Sequence, residues 1–396
     1  MGTGECGSGT LRRKGDDGVY DLVIVGGGVW GTAAALSAVE LGLPSVLLVE
    51  KNAYVAGESS AKAGGIVSAF VSEPDDFAWV ARSRELFRQA QRASGDLSMI
   101  RESGMVTLAA KEHVSLLDGP VHTLKARGIP VESWDRGELR AHYPALDRVG
   151  DDVAALWTPE DWSVNPTAYA TATLALAQAR GLQVRLGWRV EAIRVEEARV
   201  RLEGPDGPVE AARVLIAAGT WTRKLVQTAG LDLPLLPYRT QLASLEFPAP
   251  LDLPIVRILE NDMYFVPDGP QNLLAGDGTR LWEHDPDDYR TAGDADFEQD
   301  VAQGLLGLTS RAEQAALRRS WAGLCGGTPD RRPLLGPVAD RLVVACGDNG
   351  FGIKRGPAIG ELAAKVALGV EAVPHLSPSR HPVVPFTIRP GRGGTT

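Results

Sequence analysis

The stretch Tyr20-Asp-Leu-Val-Ile-Val-Gly-Gly-Gly-Val-Trp-Gly31 decides the fold of the N-terminal part of this chain. A short apolar run ends in glycines, residues 29–41 then carry Ala and Leu at helical spacing, and residues 45–49 are again rich in β-forming side chains. This order predicts a βαβ unit in which the glycines form the turn between the first strand and the helix.

The glycines of this turn fit the pattern G-x-G-x-x-G at Gly26, Gly28 and Gly31. Gly26 permits the tight turn, Gly28 lets the backbone approach a pyrophosphate, and Gly31 allows the helix to pack on the sheet. Glu50 closes the second strand, where an acidic side chain accepts the ribose hydroxyls and repels a 2′-phosphate. A glycine turn without a ligand would not need this carboxylate. The pattern therefore predicts a bound dinucleotide, FAD or NAD rather than NADP.

Composition argues against several classes of protein. Fifty acidic residues against 41 basic ones give a net charge of −9, which disfavours a nucleic-acid partner. Cys6, Cys325 and Cys346 show no C-x-x-C spacing, so no metal site is expected and a reducing, cytoplasmic compartment is favoured. The longest apolar stretch, residues 22–49, contains five glycines and Glu40, so no membrane span is expected.

The length of 396 residues and the remaining pattern predict an α/β protein with two domains. A Rossmann-like, dinucleotide-binding domain is assigned to three segments, namely 19–74, 153–233 and 321–372. Its final helix is expected over residues 357–368, with Pro at the first turn. A second, α+β substrate domain built on an antiparallel sheet is assigned to residues 75–152 and 234–320. A disordered leader and tail are expected at residues 1–18 and 377–396.

Four segments support a family resemblance. They are the glycine turn with Glu50, the segment Gly57-Glu-Ser-Ser-Ala-Lys-Ala-Gly-Gly-Ile-Val67, residues 214–219 followed by Trp221, and residues 320–360. In these segments, and in their order, the chain resembles the D-amino-acid oxidase superfamily of flavoproteins, especially its glycine oxidase and sarcosine oxidase branch. The resemblance spans nearly the whole chain and implies an FAD-dependent oxidoreductase.

The resemblance also implies where FAD would lie. Residues 57–67 would follow the pyrophosphate and flavin, Val190 would meet the adenine through its backbone, and residues 347–357 would lie under the flavin pyrimidine. Gly323 stands at the position of the cysteine that links flavin covalently in sarcosine oxidases, so noncovalent FAD is expected. The implied contacts are Gly26, Gly28, Val29, Trp30, Gly31, Glu50, Lys51, Ser59, Ser60, Ala63, Gly65, Ile66, Val190, Ala218, Gly219, Trp221, Gly347, Gly350, Phe351, Gly352, Ile353 and Lys354.

The same resemblance implies a site for a small amine or amino acid. Tyr264 lies in a run similar to the strand that carries a substrate-facing tyrosine, and a buried core tyrosine is the alternative. Cys325 occupies the position of a carboxylate-binding arginine, so it would line the pocket without binding a carboxylate. Lys354 matches a lysine that pairs with the substrate carboxylate, with Arg355 beside it, and a solvated Lys-Arg pair is the alternative. Tyr264, Lys354 and Cys325 are therefore the candidate catalytic residues.

Three functions remain open at this point. The favoured one is oxidation of the C–N bond of a secondary amine, an amino acid or a specialised metabolite, by hydride transfer to flavin N5 with O2 as acceptor. The second is a dehydrogenase of an amine or 2-hydroxy acid with another electron acceptor, because residues 268–275 lack the lysine that activates oxygen in the sarcosine oxidase branch. The third is a flavin-binding subunit of a heteromeric complex.

Overall fold

The computed structural model describes residues 18–71 and 73–384. Its helices are α1 (Val29–Glu40), α2 (Pro74–Ser94), α3 (Ser115–Ala126), α4 (Arg136–His142), α5 (Pro166–Gln178), α6 (Thr222–Gln227), α7 (Ala295–Leu308) and α8 (Gly352–Ala367). Its strands are β1 (Leu22–Val25), β2 (Val46–Val49), β3 (Ile66–Val67), β4 (Ile100–Arg101), β5 (Met105–Ala110), β6 (Glu132–Trp134), β7 (Val153–Thr158), β8 (Trp162–Val164), β9 (Gln183–Arg185), β10 (Ala192–Val195), β11 (Val200–Glu203), β12 (Val209–Ala211), β13 (Val214–Ile216), β14 (Leu236–Glu246), β15 (Ile255–Ile258), β16 (Tyr264–Pro267), β17 (Asn272–Gly276), β18 (Leu281–Trp282), β19 (Ala316–Gly327), β20 (Leu334–Ala339) and β21 (Leu342–Cys346).

A six-stranded sheet has the strand order β20-β21-β13-β1-β2-β9. All of its strands are parallel except β20, which lies at the edge and is antiparallel to β21. Strand β1 is apolar and buried on both faces, as expected for a central parallel strand. Leu22 and Ile24 pack against helices α1, α2, α5 and α8. Val23 and Val25 pack on the opposite side, against the small sheet β10-β11-β12. Alternate side chains of β1 thus pack against the two different layers that cover the two faces of the sheet.

A nine-stranded sheet forms the second lobe, in the order β18-β14-β17-β16-β15-β5-β7-β6 with β19 paired to β14. Helix α7 covers one face through Phe297, Val301 and Leu305. Most neighbours are antiparallel as predicted, but β15 and β5 are parallel. The sequence did not reveal the long strand β19. The domain boundary predicted between residues 320 and 321 falls inside this strand.

Helix α8 begins at Gly352, so the start predicted at residue 357 is wrong. Pro357 lies inside the helix, where it lacks an N–H for the carbonyl one turn earlier. The helix is held instead by close packing on α1, because a Cβ added to Gly360 would lie 2.3 Å from the carbonyl oxygen of Trp30. This packing brings the first turn of α8 to the carboxyl edge of the parallel sheet.

The C-terminal segment departs from the predicted disorder within the described residues. Pro378–Arg380 form a short 3-10 helix, and Arg380 donates to both oxygens of Asp330 at 2.8 and 2.9 Å. Residues 385–396 of the predicted tail, and residues 1–17 of the predicted leader, lie outside the described residues. Among residues 18–71 and 73–384, none of the helices combines the length and the apolar character needed to cross a membrane.

Candidate active site

A cavity of about 470 Å³ opens where β1, β2, β13 and β21 end at the carboxyl edge of the parallel sheet. Ligands of doubly wound sheets bind in this position, and the volume is in the usual range for small-molecule and cofactor sites. The predicted residues that line it are Gly26, Gly28, Val29, Trp30, Glu50, Lys51, Ser59, Ser60, Ala63, Val190, Ala218, Gly219, Trp221, Cys325, Gly347, Gly350, Gly352 and Ile353. The predicted residues outside the lining are Gly31, Gly65, Ile66, Tyr264, Phe351 and Lys354.

The glycine turn forms one wall of the cavity. Gly26 has a φ of +110°, and a Cβ on Gly31 would lie 1.9 Å from the carbonyl oxygen of Gly26. A Cβ on Gly28 would approach only Ser60 Oγ, at 3.3 Å, so this residue leaves room on the cavity side. Gly28 caps α1 without a side-chain hydrogen bond. The Val29 N–H donates to Ser60 Oγ at 3.3 Å, and the rest of the first turn of α1 offers N–H groups and the positive end of its dipole to an anion, which fits a pyrophosphate.

Glu50 is held rigidly in the wall next to this turn. Its buried carboxylate accepts hydrogen bonds from the backbone N–H of Gly27 at 2.6 Å and of Asn52 at 2.9 Å. Each carboxylate oxygen can accept a further bond, so the side chain remains able to receive ribose hydroxyls. The fixed negative charge also fits FAD or NAD better than a 2′-phosphorylated nucleotide.

The far end of the cavity is closed by Lys51 and Trp221, which the resemblance implied, together with Asp287, Lys224 and Arg189, which the sequence did not suggest. Lys51 Nζ lies 3.6 Å from the centre of the Trp221 ring, and Trp221 Nε1 donates to Asp287 at 2.9 Å. Asp287 also accepts from Lys224 at 2.7 Å and from Arg189 at 3.3 Å. Burial raises the pKa of Asp287, but the hydrogen bonds from Lys224, Trp221 and Arg189 outweigh burial and hold this pKa well below its usual value. A loop between β18 and α7 is thereby tied across the cavity.

Replacing Asp287 with Asn should speed FAD dissociation roughly threefold to tenfold, because it weakens contacts that are each worth about 0.2–1 kcal/mol at a partly exposed site. Dissociation can be followed by the recovery of flavin fluorescence after dilution. The control is Asp288→Asn in the same loop, since Asp288 is exposed and does not line the cavity. Equal rates in both variants would contradict a role for Asp287 in retaining the cofactor.

The loop 347–352 forms the opposite end of the cavity wall. The carboxylate of Asp348 accepts from the N–H of Gly326 at 2.7 Å and of Gly350 at 3.1 Å, which fixes the loop to β19. Burial, with the neighbouring Asp348, raises the pKa of the Cys325 thiol well above its usual value. Cys325 lines the cavity as predicted, but as a neutral thiol it is a poor nucleophile.

Lys354 lies directly behind this loop. Its ammonium donates to Ser68 Oγ at 2.9 Å, and only 8% of the residue is exposed. Burial, reinforced by Arg257, lowers the pKa of Lys354 to about 7. Arg355 is buried as well and forms a two-point ion pair with Asp76, both contacts at 2.9 Å. The alternative of a solvated Lys-Arg pair is therefore wrong, and Arg355 is not free for a substrate.

Tyr264 begins β16 beside the same region. Its ring packs against Gly64 and Gly276, so that a Cβ on either glycine would collide with it. Tyr264 pairs across the strands with Arg257, the residue that also affects Lys354. Burial, with Cys325 next in effect, raises the pKa of the Tyr264 hydroxyl. The three candidate catalytic residues thus belong to one neighbourhood at the end of the cavity formed by loop 347–352.

The sheet, the glycine turn and the fixed Glu50 define a dinucleotide-binding protein, and the buried Lys354 lies behind the loop at the other end of the cavity. The chain belongs to the FAD dependent oxidoreductase (DAO) family, whose profile matches residues 21–366. It is therefore an FAD-dependent oxidoreductase, as the sequence predicted, and its cofactor is FAD. NAD, which the glycine motif alone left open, is thereby set aside.

Relatives support this assignment over most of the chain. A glycine oxidase of Geobacillus kaustophilus (strain HTA426) is 30% identical over 379 residues, which cover 91% of this chain and 96% of the relative. The monomeric sarcosine oxidase of Bacillus sp. (strain B-0618) is 23% identical over 364 residues, with 88% and 92% covered. The crystal structure of glycine oxidase from Geobacillus kaustophilus matches with a TM-score of 0.81 at 26% identity, covering 91% of this chain and 99% of that one.

Proposed function

We propose that the protein oxidises the C–N bond of a small amine or amino acid that carries a carboxylate. The observation that supports this proposal is the burial of Lys354. Its ammonium lies behind the loop 347–352 and has Ser68 Oγ as its hydrogen-bond partner. Asp161 and Asp76 act on Lys354, but no carboxylate oxygen of the described residues lies within 4.0 Å of its ammonium, so an anionic ligand in contact would stabilise this buried cation. The names of the glycine oxidase and sarcosine oxidase relatives support the same substrate class.

FAD, when bound, supplies the hydride acceptor for this oxidation. We propose that it is held noncovalently by the cavity residues named above, because Gly323 offers no side chain for a link and the Cys325 thiol is neutral. In this proposal Lys354 pairs with the substrate carboxylate, and Tyr264 donates or accepts a hydrogen bond at the substrate. Both residues act by orienting the carbon that loses the hydride.

The first turn of α8 contributes to the reaction through the helix dipole. Gly352 and Ile353 line the cavity at the N-terminal end of this 16-residue helix. The positive end of the helix dipole stabilises negative charge that develops there during the reaction. The buried surroundings also favour a neutral amine, which is the form that gives up a hydride.

The test is anaerobic mixing of the purified yellow protein with a panel of amines, amino acids and 2-hydroxy acids, followed by admission of air. We expect amines with a carboxylate to bleach the flavin absorption, and hydroxy acids of the same size to leave it unchanged. Rapid return of colour with peroxide would identify an oxidase. Bleaching only by hydroxy acids, or by no member of the panel, would overturn the proposal.

A second candidate is a dehydrogenase that passes its electrons to an acceptor other than O2. The observation that favours it is the absence of a lysine in residues 268–275, which form the turn between β16 and β17 and most of β17 itself. In the same experiment, a flavin that stays bleached in air and recovers its colour with an added quinone or dye would support the dehydrogenase.

A further inference from the structure

The turn between β7 and β8 carries Asp161, whose side chain is buried. Its Oδ1 accepts hydrogen bonds from the backbone N–H of Ala69 and from Arg84 Nη2, both at 2.7 Å, and its Oδ2 accepts one from Thr158 Oγ1 at 2.7 Å. Burial raises the pKa of Asp161, and the charge of Arg84 and the hydrogen bonds from Thr158 and Ala69 oppose this effect. In all three contacts a charged carboxylate is the acceptor.

The ion pair of Asp161 and Arg84 fixes the chain on both sides of Ser68. Arg84 donates a second hydrogen bond to the carbonyl oxygen of Val67 at 3.2 Å, and Asp161 binds the N–H of the residue that follows Ser68. Ser68 is buried between these two anchors, and its hydroxyl accepts the hydrogen bond from the Lys354 ammonium at 2.9 Å. The acceptor for Lys354 therefore lies where the ion pair places it.

Charged residues of four elements face Lys354, namely Arg257 on β15, Arg355 on α8, Asp76 on α2 and Asp161 in the turn before β8. Burial lowers the pKa of Lys354 most, and Arg257 and Arg355 lower it further. Asp161 opposes them with a larger effect than Asp76, which is engaged by Arg355 at 2.9 Å. Among residues 18–71 and 73–384 no carboxylate oxygen lies within 4.0 Å of the Lys354 ammonium. Asp161 therefore acts on it by charge and through Ser68, and not by direct pairing.

We propose that Asp161 is a positioning residue of the substrate site, which acts through Ser68 and through its charge to hold Lys354 in place as an ammonium. The inference rests on the proposed function, in which this ammonium pairs with the substrate carboxylate. A lysine binds a carboxylate by charge only while it is protonated, and burial beside two guanidinium groups works against protonation. A fixed carboxylate beyond contact distance favours the charged form without occupying the place of the substrate carboxylate.

Isotope-labelled lysine, observed by NMR at Cε, reports the charge state of Lys354 in the holoenzyme without any substrate. The Lys354 signal is the one that is lost in Lys354→Met, and we expect it to titrate with a midpoint of about 7 in the wild type. In Asp161→Asn the midpoint should fall by about one pH unit, because the charge is removed. The amide oxygen can still accept from Ala69 and Arg84, and the amide nitrogen can donate to Thr158, so the anchors of Ser68 are kept. The Kd of butyrate should begin to rise at a pH that is lower by the same amount.

The matched control is Asp232→Asn. Asp232 forms an ion pair of the same kind with Arg223 at 2.7 Å and does not belong to the residues that line the cavity. The loss of an ion pair by itself lowers Tm in both variants, but only Asp161→Asn should move the Lys354 midpoint. A second variant, Ser68→Ala, removes one hydroxyl and leaves the pair of Asp161 and Arg84 intact, so it is expected to fold and to lower the midpoint as well. It provides the test if Asp161→Asn does not fold.

An unchanged midpoint in Asp161→Asn or in Ser68→Ala, or an equal shift in Asp232→Asn, would overturn the inference. The lysine titration is independent of turnover, so the inference and the proposed function can fail separately. If the midpoint moves as expected and no amine reduces the flavin, the proposed function fails and the action of Asp161 on Lys354 stands.

Discussion

Replacing Gly31 with Ala is expected to give a protein that is purified largely without flavin, with a Kd for FAD at least about a hundredfold above that of the wild type. The added Cβ would lie 1.9 Å from the carbonyl oxygen of Gly26, which is backbone and cannot rotate away. Relieving the overlap must push α1 from the turn and displace the N–H groups at its first turn. Overpacking of this kind costs about 1–3 kcal/mol, and misplaced anion contacts add to it.

The measurement for Gly31→Ala is the ratio of flavin to protein after purification, followed by titration of the apoprotein with FAD. Gly307→Ala in α7 is the matched control, because a Cβ there meets no atom within 4 Å and the backbone is not left-handed. Its FAD affinity should equal that of the wild type, and its Tm should be the same or higher since Ala is the better helix former. Wild-type affinity in Gly31→Ala would show that the turn does not bind the pyrophosphate.

The N-terminal fold could be predicted because its signals are local. The apolar run of β1, the glycines and Glu50 all lie within 31 residues, and each has one physical reason to be there. Strand β19 was missed because its first half is exposed and its pairing with β14 joins residues about 80 apart, which periodicity alone does not reveal. The start of α8 was misplaced because Pro357 looked like a first-turn proline, whereas packing on α1 keeps it inside the helix.

Some residues of the candidate site could likewise be predicted from the sequence, and others could not. Residues near the glycine turn, the segment 57–67 and the loop 347–352 could be proposed from their motifs and from the family resemblance. Asp287 and Lys224 could not, because they come from different lobes and meet only in the folded protein.

Replacing Lys354 with Met is expected to weaken carboxylate binding about a hundredfold and to remove its dependence on pH. Removal of one partner from a buried charged pair costs about 3 kcal/mol, which corresponds to roughly this factor. Met has a similar length and no charge, so the chain should fold, and the loss should appear mainly in KM and in the Kd of an unreactive carboxylate such as butyrate. Lys365→Met on the same helix is the control, because Lys365 is more exposed and pairs with Glu361.

The pH dependence follows from the pKa of about 7 for Lys354, which burial lowers and Arg257 lowers further. Below this pH the side chain is charged and binds a carboxylate, and above it the neutral amine must first take up a proton. The Kd of butyrate should therefore rise with pH above about 7, approaching tenfold per pH unit, until the higher pKa of the complex is reached. Arg257 and Arg355 also face Lys354, and both lower its pKa. Asp76 and Asp161 also face Lys354, and burial raises the pKa of each above its usual acidic value, so their protonation affects the acid side of the profile. The same alkaline rise in Lys354→Met would assign the titration to another group and would remove Lys354 from the substrate site.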